Sequence, residues 1–202
     1  MNELLRVARV LHRTTAEGPG QRTAIWVQGC SIRCRGCINP HLFDANGGDV
    51  IDLEELVSGA LHSGSEGITL LGGEPFDQAG PCAALARAAQ DAGLGVITFT
   101  GYGYQELMTR DDEARSLLSA TDLLVDGPYV AGLPESRRAL VGSSNQQFIH
   151  LTPRYESYRP ETVPNRLDLR VLSDGNIELA GFLKSKELSS LARGANTRRS
   201  KG

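Results

Sequence analysis

The sequence predicts a single-domain α/β protein, an open, partial (βα) barrel with a C-terminal β-hairpin extension. Three observations carry that expectation. Short β-branched apolar runs alternate with amphipathic or alanine-rich stretches, the pattern of βα units joined by right-handed crossovers. The units are too few for a closed eight-stranded barrel. Residues 165–183 alternate, turn at Asp174-Gly175 and alternate again, as a hairpin does.

The elements follow in order. Residues 5–11 interleave Leu5, Val7, Val10 and Leu11 with arginines, which fits either a short edge strand or a helical turn. Residues 14–20 are a lead-in punctuated by Pro19 and two glycines. Ala24-Ile25-Trp26-Val27 is a strand, with Trp26 a core or barrel-wall residue. After a loop over 44–49, Asp52 is the expected N-cap, and Glu55 completes a capping box. The helix over 53–61 would then bury Leu53, Leu56, Val57 and Leu61 on one face. A strand over 68–71, a loop over 72–76 and a helix over 78–91 come next, ended by Gly93 and Gly95. A strand over 96–100 and a turn over 101–103 lead to helices over 105–108 and 111–119. Strands over 123–125 and 147–151 complete the core.

A loop rich in tyrosine and proline, 153–164, separates this core from the hairpin strands 167–172 and 177–180. The hairpin is expected to cover one edge of the sheet. A short helix from Ser185 ends the domain, taken as 1–192, and 193–202 reads as a disordered basic tail with solvated charge.

Composition narrows the function. The 202 residues make one domain with a substantial core. Against 24 acidic residues stand 21 basic ones, net −3, so no global field favours nucleic acid or an anionic membrane. Hydrophobic residues are 40% of the chain, too many for disorder, and no apolar run approaches the ~20 needed to span a bilayer. The first 13 residues, interrupted by Arg6, Arg9 and His12, lack a signal-peptide core, so the expected compartment is the reducing cytoplasm.

Chemistry concentrates at Cys30, Cys34 and Cys37, spaced C-x3-C-x2-C. One short loop can wrap three such thiolates around a single metal centre. Soft sulfur donors suit zinc or an iron–sulfur cluster. In an iron–sulfur cube, three cysteines leave the fourth iron open to an outside ligand. His41 would instead complete a C-x3-C-x2-C-x3-H zinc knuckle, so spacing alone leaves both centres open. A disulfide framework does not fit, because three clustered cysteines leave one odd. Cys82 reads as a small buried hydrophobe, not a ligand.

Gly72-Gly73-Glu74-Pro75 removes two side chains where a ligand can approach and supplies an acceptor; the plainer alternative is a strand-to-helix turn with an exposed glutamate. The cysteine loop, Gly72–Glu74, Thr100-Gly101 and Asp126 each follow an expected strand. All four therefore fall on the carboxyl-end rim, where such folds carry chemistry.

Gly18-Pro19-Gly20 with Arg22, the strand 23–27, Gln28-Gly29-Cys30 and the cysteine triplet resemble the radical S-adenosylmethionine (SAM) superfamily. Within it they resemble the activating enzymes that install glycyl radicals, over about residues 18–151. Many members carry an aromatic residue just before the third cysteine, where this chain has Gly36. Arg35-Gly36-Cys37 is closer to the activating proteins of anaerobic (class III) ribonucleotide reductase. Leu124-Val125-Asp126-Gly127-Pro128-Tyr129 and Gly142-Ser143-Ser144-Asn145-Gln146 resemble the same group.

That resemblance implies one [4Fe-4S] cluster on Cys30, Cys34 and Cys37, with SAM as second cofactor. It puts Gly72, Gly73 and Glu74 at the SAM amino group, Thr100 toward the ribose or simply at a strand capped by a glycine turn, and Asp126 at the methionine side or an associated cation, the plainer alternative being a helix- or turn-capping aspartate. Adenine would rest on backbone around Gly36, Cys37 and Ile38. Asn145 and Gln146 would bind SAM or an entering peptide, or merely satisfy their own loop. No catalytic side chain beyond the cluster ligands is demanded. The implied partners are a glycyl-radical enzyme, such as class III ribonucleotide reductase, and a flavodoxin- or ferredoxin-type electron donor. Two other readings stay open. One is a radical SAM enzyme modifying a small molecule or peptide, motivated by the added chain after Leu151. The other is a non-catalytic zinc or iron–sulfur binding module.

Overall fold

The computed structural model describes residues 4–172, 175 and 177–182. The strands are β1 (Leu4–Thr14), β2 (Arg22–Val27), β3 (Asp49–Asp52), β4 (Gly67–Gly72), β5 (Gly95–Phe99), β6 (Leu123–Asp126), β7 (Gln147–His150), β8 (Leu167–Val171) and β9 (Ile177–Gly181). The helices are α1 (Leu53–His62), α2 (Ala79–Asp91), α3 (Tyr104–Arg110) and α4 (Asp112–Ser119). Seven strands form one sheet in the order β3-β1-β2-β4-β5-β6-β7, and β8 and β9 pair separately. The middle strands β2, β4, β5 and β6 run parallel, while β1, β3 and β7 are antiparallel to their neighbours. All carboxyl ends of the parallel strands therefore share one rim.

Burial explains the sequence pattern. Every residue of β2 is buried, which is why it reads as a continuous run, not an alternating one. Ile25 and Val27 join Ile68, Leu70, Val96 and Leu124 beneath the helices, while Ala24 and Trp26 face the other side with Leu11, Leu42 and Ala180. Helix α2 buries Cys82, Ala83, Leu85, Ala86 and Ala89, small side chains that let it lie close to the sheet.

Four expectations need correction. The first strand is neither short nor an edge: it spans 11 residues between β3 and β2. A bulge between Val7 and Arg9 shifts its register, so Leu5 and Val7 face the helices while Leu11 joins the opposite core. That slip hides the alternation from a periodicity reading. Residues 49–52, read as loop and cap, form β3. Asp52 does cap α1, accepting a hydrogen bond from Glu54 N at 2.8 Å, but the buried face is Leu53, Leu56 and Ala60, with Leu61 47% exposed.

The hairpin does not cover an edge, since the sheet ends in β3 and β7. It docks on the face of β1 and β2. Arg9 Nη1 donates to Leu179 O (2.6 Å), Arg170 Nη2 to His12 O (2.6 Å) and Gly181 N to Glu17 Oε1 (2.7 Å), while Ala180 packs with Leu11, Ala24 and Trp26. The physical reason is Arg9 and Trp26, whose polar and aromatic surfaces need cover on that side. Apart from Gly175, the expected turn over 173–176 lies outside the described residues, as do the helix from Ser185 and the basic tail. Among the described residues no helix is long and apolar enough to cross a membrane.

Candidate metal centre

The cysteine loop starts where β2 ends, and its entrance is bound on three sides. Gln28 N donates to Arg6 O (3.0 Å), Gly29 N to Leu42 O (2.9 Å), and Glu74 N to Gly29 O (2.8 Å). Gln78 stitches the same place, accepting from Arg6 N (3.0 Å) and donating to Arg6 O (2.9 Å) and Gln28 O (3.0 Å). Cys30, Cys34 and Cys37 follow, each half-buried and free. Burial raises the Cys30 thiol pKa, opposed by the N–H groups of Arg33 and Ile32.

The second half of the loop is a tight turn, Cys37 N donating to Cys34 O at 3.1 Å. Gly36 occupies its third position with φ +83°, a conformation that a side chain resists. This explains why an aromatic residue is absent there. An aromatic surface arrives from elsewhere: the Tyr129 ring lies 3.6 Å from where a Gly36 Cβ would stand, and 3.1 Å from a Gly142 Cβ. Ile38, one residue past the triplet, is 67% exposed. His41 is exposed on the short 3-10 turn Pro40–Leu42. Among the described residues no three His, Cys, Asp or Glu side chains converge as they would around a single ion. Three accessible thiols on one loop are nevertheless the donor chemistry that an iron–sulfur cluster needs.

The rest of the expected rim comes together around Glu74. Its side chain is buried, at 1% exposure, which rules out the exposed-turn alternative. Oε1 accepts from Phe76 N (3.0 Å) and Thr100 Oγ1 (2.7 Å), and Oε2 accepts from Gly101 N (2.9 Å). The carboxylate thus ties the end of β4 to the end of β5. Gly72 and Gly73 have a reason inside the chain. A Cβ on Gly73 would sit 2.1 Å from Gly29 O, and one on Gly72 would sit 2.6 Å from Trp26 Cα. The pair lets β4 press against β2 and the root of the cysteine loop. Asp126 is also buried; its Oδ2 accepts from Tyr104 N (2.7 Å) at the start of α3, while Oδ1 has no partner among the described residues. Gln146 Oε1 accepts from Gly142 N (3.0 Å) and Ser143 N (3.1 Å), so it serves its own loop. Asn145 donates to Pro128 O at 2.8 Å.

A cleft of about 470 Å³ opens beside the cysteine loop, lined among others by Arg6, Cys30, Ser31, Arg33 and Asp77. Only Cys30 of the expected site residues reaches it. Sequence reasoning missed Asp77, Gln78 and Tyr129. Each acts across a long separation, such as 46 positions from Ser31 to Asp77, and no local pattern signals that.

Burial pushes the carboxyl groups of Glu74 and Glu17 up to about 7 from a usual 4.5. Between these two values the folded protein holds protons that the unfolded chain has lost. The contribution of these two groups is therefore full below about pH 4.5 and is lost as pH rises through 7, by up to roughly 3 kcal/mol per group. Urea unfolding of the cluster-free protein should give a lower free energy at pH 8 than at pH 5.5. Glu17→Gln should flatten part of that slope, and a pH-independent free energy would contradict the assignment.

Three thiols thus sit on one loop at the carboxyl ends of the parallel strands, beside a Gly-Gly-Glu strand end. Residues 16–149 match the family described as the 4Fe-4S single cluster domain. The chain belongs to that family, among the radical SAM activating enzymes. It is 31% identical over 143 residues to the anaerobic ribonucleoside-triphosphate reductase-activating protein of Salmonella typhi, covering 66% of this chain and 91% of that one. The protein of the same name from Enterobacteria phage T4 is 28% identical over 139 residues (65% and 85%). The pyruvate formate-lyase-activating enzyme of Clostridium pasteurianum is 33% identical over 107 residues (48% and 44%). Among solved structures, QueE from Escherichia coli overlays 48% of this chain and 52% of its own at a TM-score of 0.39 and 16% identity, too partial a likeness to extend the assignment.

Proposed function

We propose that the protein uses one [4Fe-4S] cluster on Cys30, Cys34 and Cys37, together with SAM, to place a radical on a glycine of a partner glycyl-radical enzyme of the anaerobic ribonucleotide reductase type. The observation that carries this reading is the contact of the cysteine loop with the Gly73-Glu74 strand end, where Glu74 N meets Gly29 O at 2.8 Å. Thiol donors and a buried carboxylate thereby share one rim. The relatives' names favour the partner class. A [4Fe-4S] cluster held by Cys30, Cys34 and Cys37 would supply the single electron for reductive cleavage of SAM, chemistry that ends with methionine, 5′-deoxyadenosine and a hydrogen atom taken from the substrate.

The chain's own residues bind, orient and exclude water. Glu74 already accepts three hydrogen bonds, and one lone pair on Oε2 remains for the amino group of SAM. Gly72 and Gly73 keep backbone acceptors at that strand end. Thr100, whose hydroxyl donates to Glu74, would hold the strand end on the ribose side, and backbone around Gly36, Cys37 and Ile38 would take the adenine, with Tyr129 restoring an aromatic surface. The unpartnered Oδ1 of Asp126 suits the methionine end or an associated cation. Hydrogen-atom transfer requires no general base. On this reading the parallel strands would form an open partial barrel whose lateral mouth admits a polypeptide loop, and a flavodoxin- or ferredoxin-type protein of the reducing cytoplasm would supply the electron.

Glu74→Gln should weaken SAM binding by roughly 1.5–3 kcal/mol while leaving iron content unchanged, because an amide must aim its N–H₂ at one of three donors. Equilibrium titration of the reconstituted protein checks this; parent-like affinity would reduce Glu74 to a tie between strands. The hydrogen-abstraction step is tested with a partner deuterated at glycine Cα. Deuterium should appear in 5′-deoxyadenosine. One observation favours a second reading, a small-molecule or peptide substrate. The docked hairpin lies beyond the matched residues 16–149, over the face of β1 and β2. SAM cleavage without deuterium transfer would favour that reading.

A further inference from the structure

We propose that Asp77 is a positioning residue for the first cluster ligand, fixing Cys30 through its neighbour Ser31. The inference rests on the proposed cluster at Cys30, Cys34 and Cys37. Asp77 Oδ2 accepts from Ser31 N at 2.7 Å and Oδ1 from Ser31 Oγ at 2.9 Å, so both donors of one residue end on one carboxylate. The Tyr102 hydroxyl lies 2.9 Å from Ser31 Oγ and 3.1 Å from Asp77 Oδ1, closing a triangle. Arg110 covers it, with Cζ 4.4 Å from the centre of the Tyr102 ring and Nη2 3.8 Å from Asp77 Oδ1. Arg110 therefore partly balances the carboxylate's charge.

These four residues come from the cysteine loop, the turn after β4, the loop after β5, and α3. Asp77 N also donates to Glu74 O at 3.0 Å, which couples the clamp to the Glu74 turn. Cys30 is thus bracketed, Gly29 bound to Glu74 N on one side and Ser31 bound to Asp77 on the other. The Cys34–Cys37 turn is closed by its own backbone bond, packed beside Tyr129. With residues 29 and 31 both tied down, the Cys30 backbone is held and its sulfur is left the staggered positions of χ1 about a fixed Cα. That restriction favours one cluster geometry and slows ligand detachment, the role that outer-shell hydrogen bonds play at metal sites.

The test compares anaerobically reconstituted parent protein with Asp77→Ala, Ser31→Ala, Tyr102→Phe and Ser31→Thr. The readouts are the rate of iron loss to a ferrous chelator and the electron paramagnetic resonance spectrum of the reduced cluster. Asp77→Ala should lose iron about 10- to 100-fold faster and show altered g-values. Ser31→Ala and Tyr102→Phe should fall between it and the parent. Ser31→Thr, which keeps the hydroxyl, should match the parent. Should Asp77→Ala fail to fold, Ser31→Ala and Tyr102→Phe carry the test. Parent-like iron loss and spectra in the variants that fold would overturn the assignment of Asp77 alone. A parent protein that takes up no four-iron cluster would overturn the cluster reading, and this inference with it.

Discussion

Replacing Cys30, Cys34 or Cys37 with alanine should abolish stable binding of iron and sulfide, whereas Cys82→Ala should preserve both. The three thiols sit half-buried on one loop, held at its root by backbone bonds from β1, Leu42 and Glu74. A cube with three protein ligands has no spare donor, so losing one thiolate leaves two irons unsupported. Cys82 differs in kind. It is fully buried on α2 among alanines and leucines, and burial drives its thiol pKa far up, so it behaves as a small core side chain. Its truncation should cost about 1 kcal/mol of stability and leave the absorbance of the cluster intact. Iron and sulfide analysis after anaerobic reconstitution decides the matter. Stoichiometric zinc with neither iron nor sulfide would favour the knuckle with His41.

Arg22→Met should lower the unfolding free energy of the cluster-free protein by about 3–5 kcal/mol, a loss large for one residue. Arg22 begins β2, at the end of the sheet opposite the cysteine loop, and has no exposed surface. Its guanidinium donates to Thr69 Oγ1 (2.6 Å), Tyr155 OH (2.7 Å), Gly95 O (2.9 Å), Pro19 O (3.3 Å) and Ile68 O. Those partners join the glycine-rich lead-in, β4, the start of β5 and the turn at Pro153–Tyr155. Removing the donor strands several buried acceptors at once. Arg22→Lys keeps the charge but not the fork, and should recover only part of the loss. Urea denaturation reads both variants, and an unchanged midpoint for Arg22→Met would contradict this role.

Much of the architecture was legible because its signals are local. The βα alternation from β2 to β6 is written in adjacent residues, so the four parallel strands and their common rim emerge from the sequence. Cysteine spacing is equally local. What the sequence hid depends on distant contacts or on a broken period. The bulge between Val7 and Arg9 erases the alternation of β1, and β3 exists because residues 49–52 pair with residues 4–7. Burial of Glu74 follows from Thr100 and Gly101, which lie 26 and 27 positions away. Gly72 and Gly73 were readable as close-approach sites, but not that the approaching atoms belong to Trp26 and Gly29. The hairpin was visible as a hairpin; its seat on β1 and β2 required Arg9 to find Leu179 across 170 positions.

The central claim is that SAM cleavage at this rim ends with a hydrogen atom taken from a partner's glycine Cα, so that the radical resides on the partner. Electron paramagnetic resonance tests it most directly. The reconstituted, reduced protein is mixed with SAM and a class III ribonucleotide reductase, then frozen. The expected result is a glycyl-radical doublet on the reductase, absent without SAM and absent with Cys34→Ala. Methionine and 5′-deoxyadenosine released under the same conditions, with no radical on the reductase or any other glycyl-radical enzyme, would contradict the account.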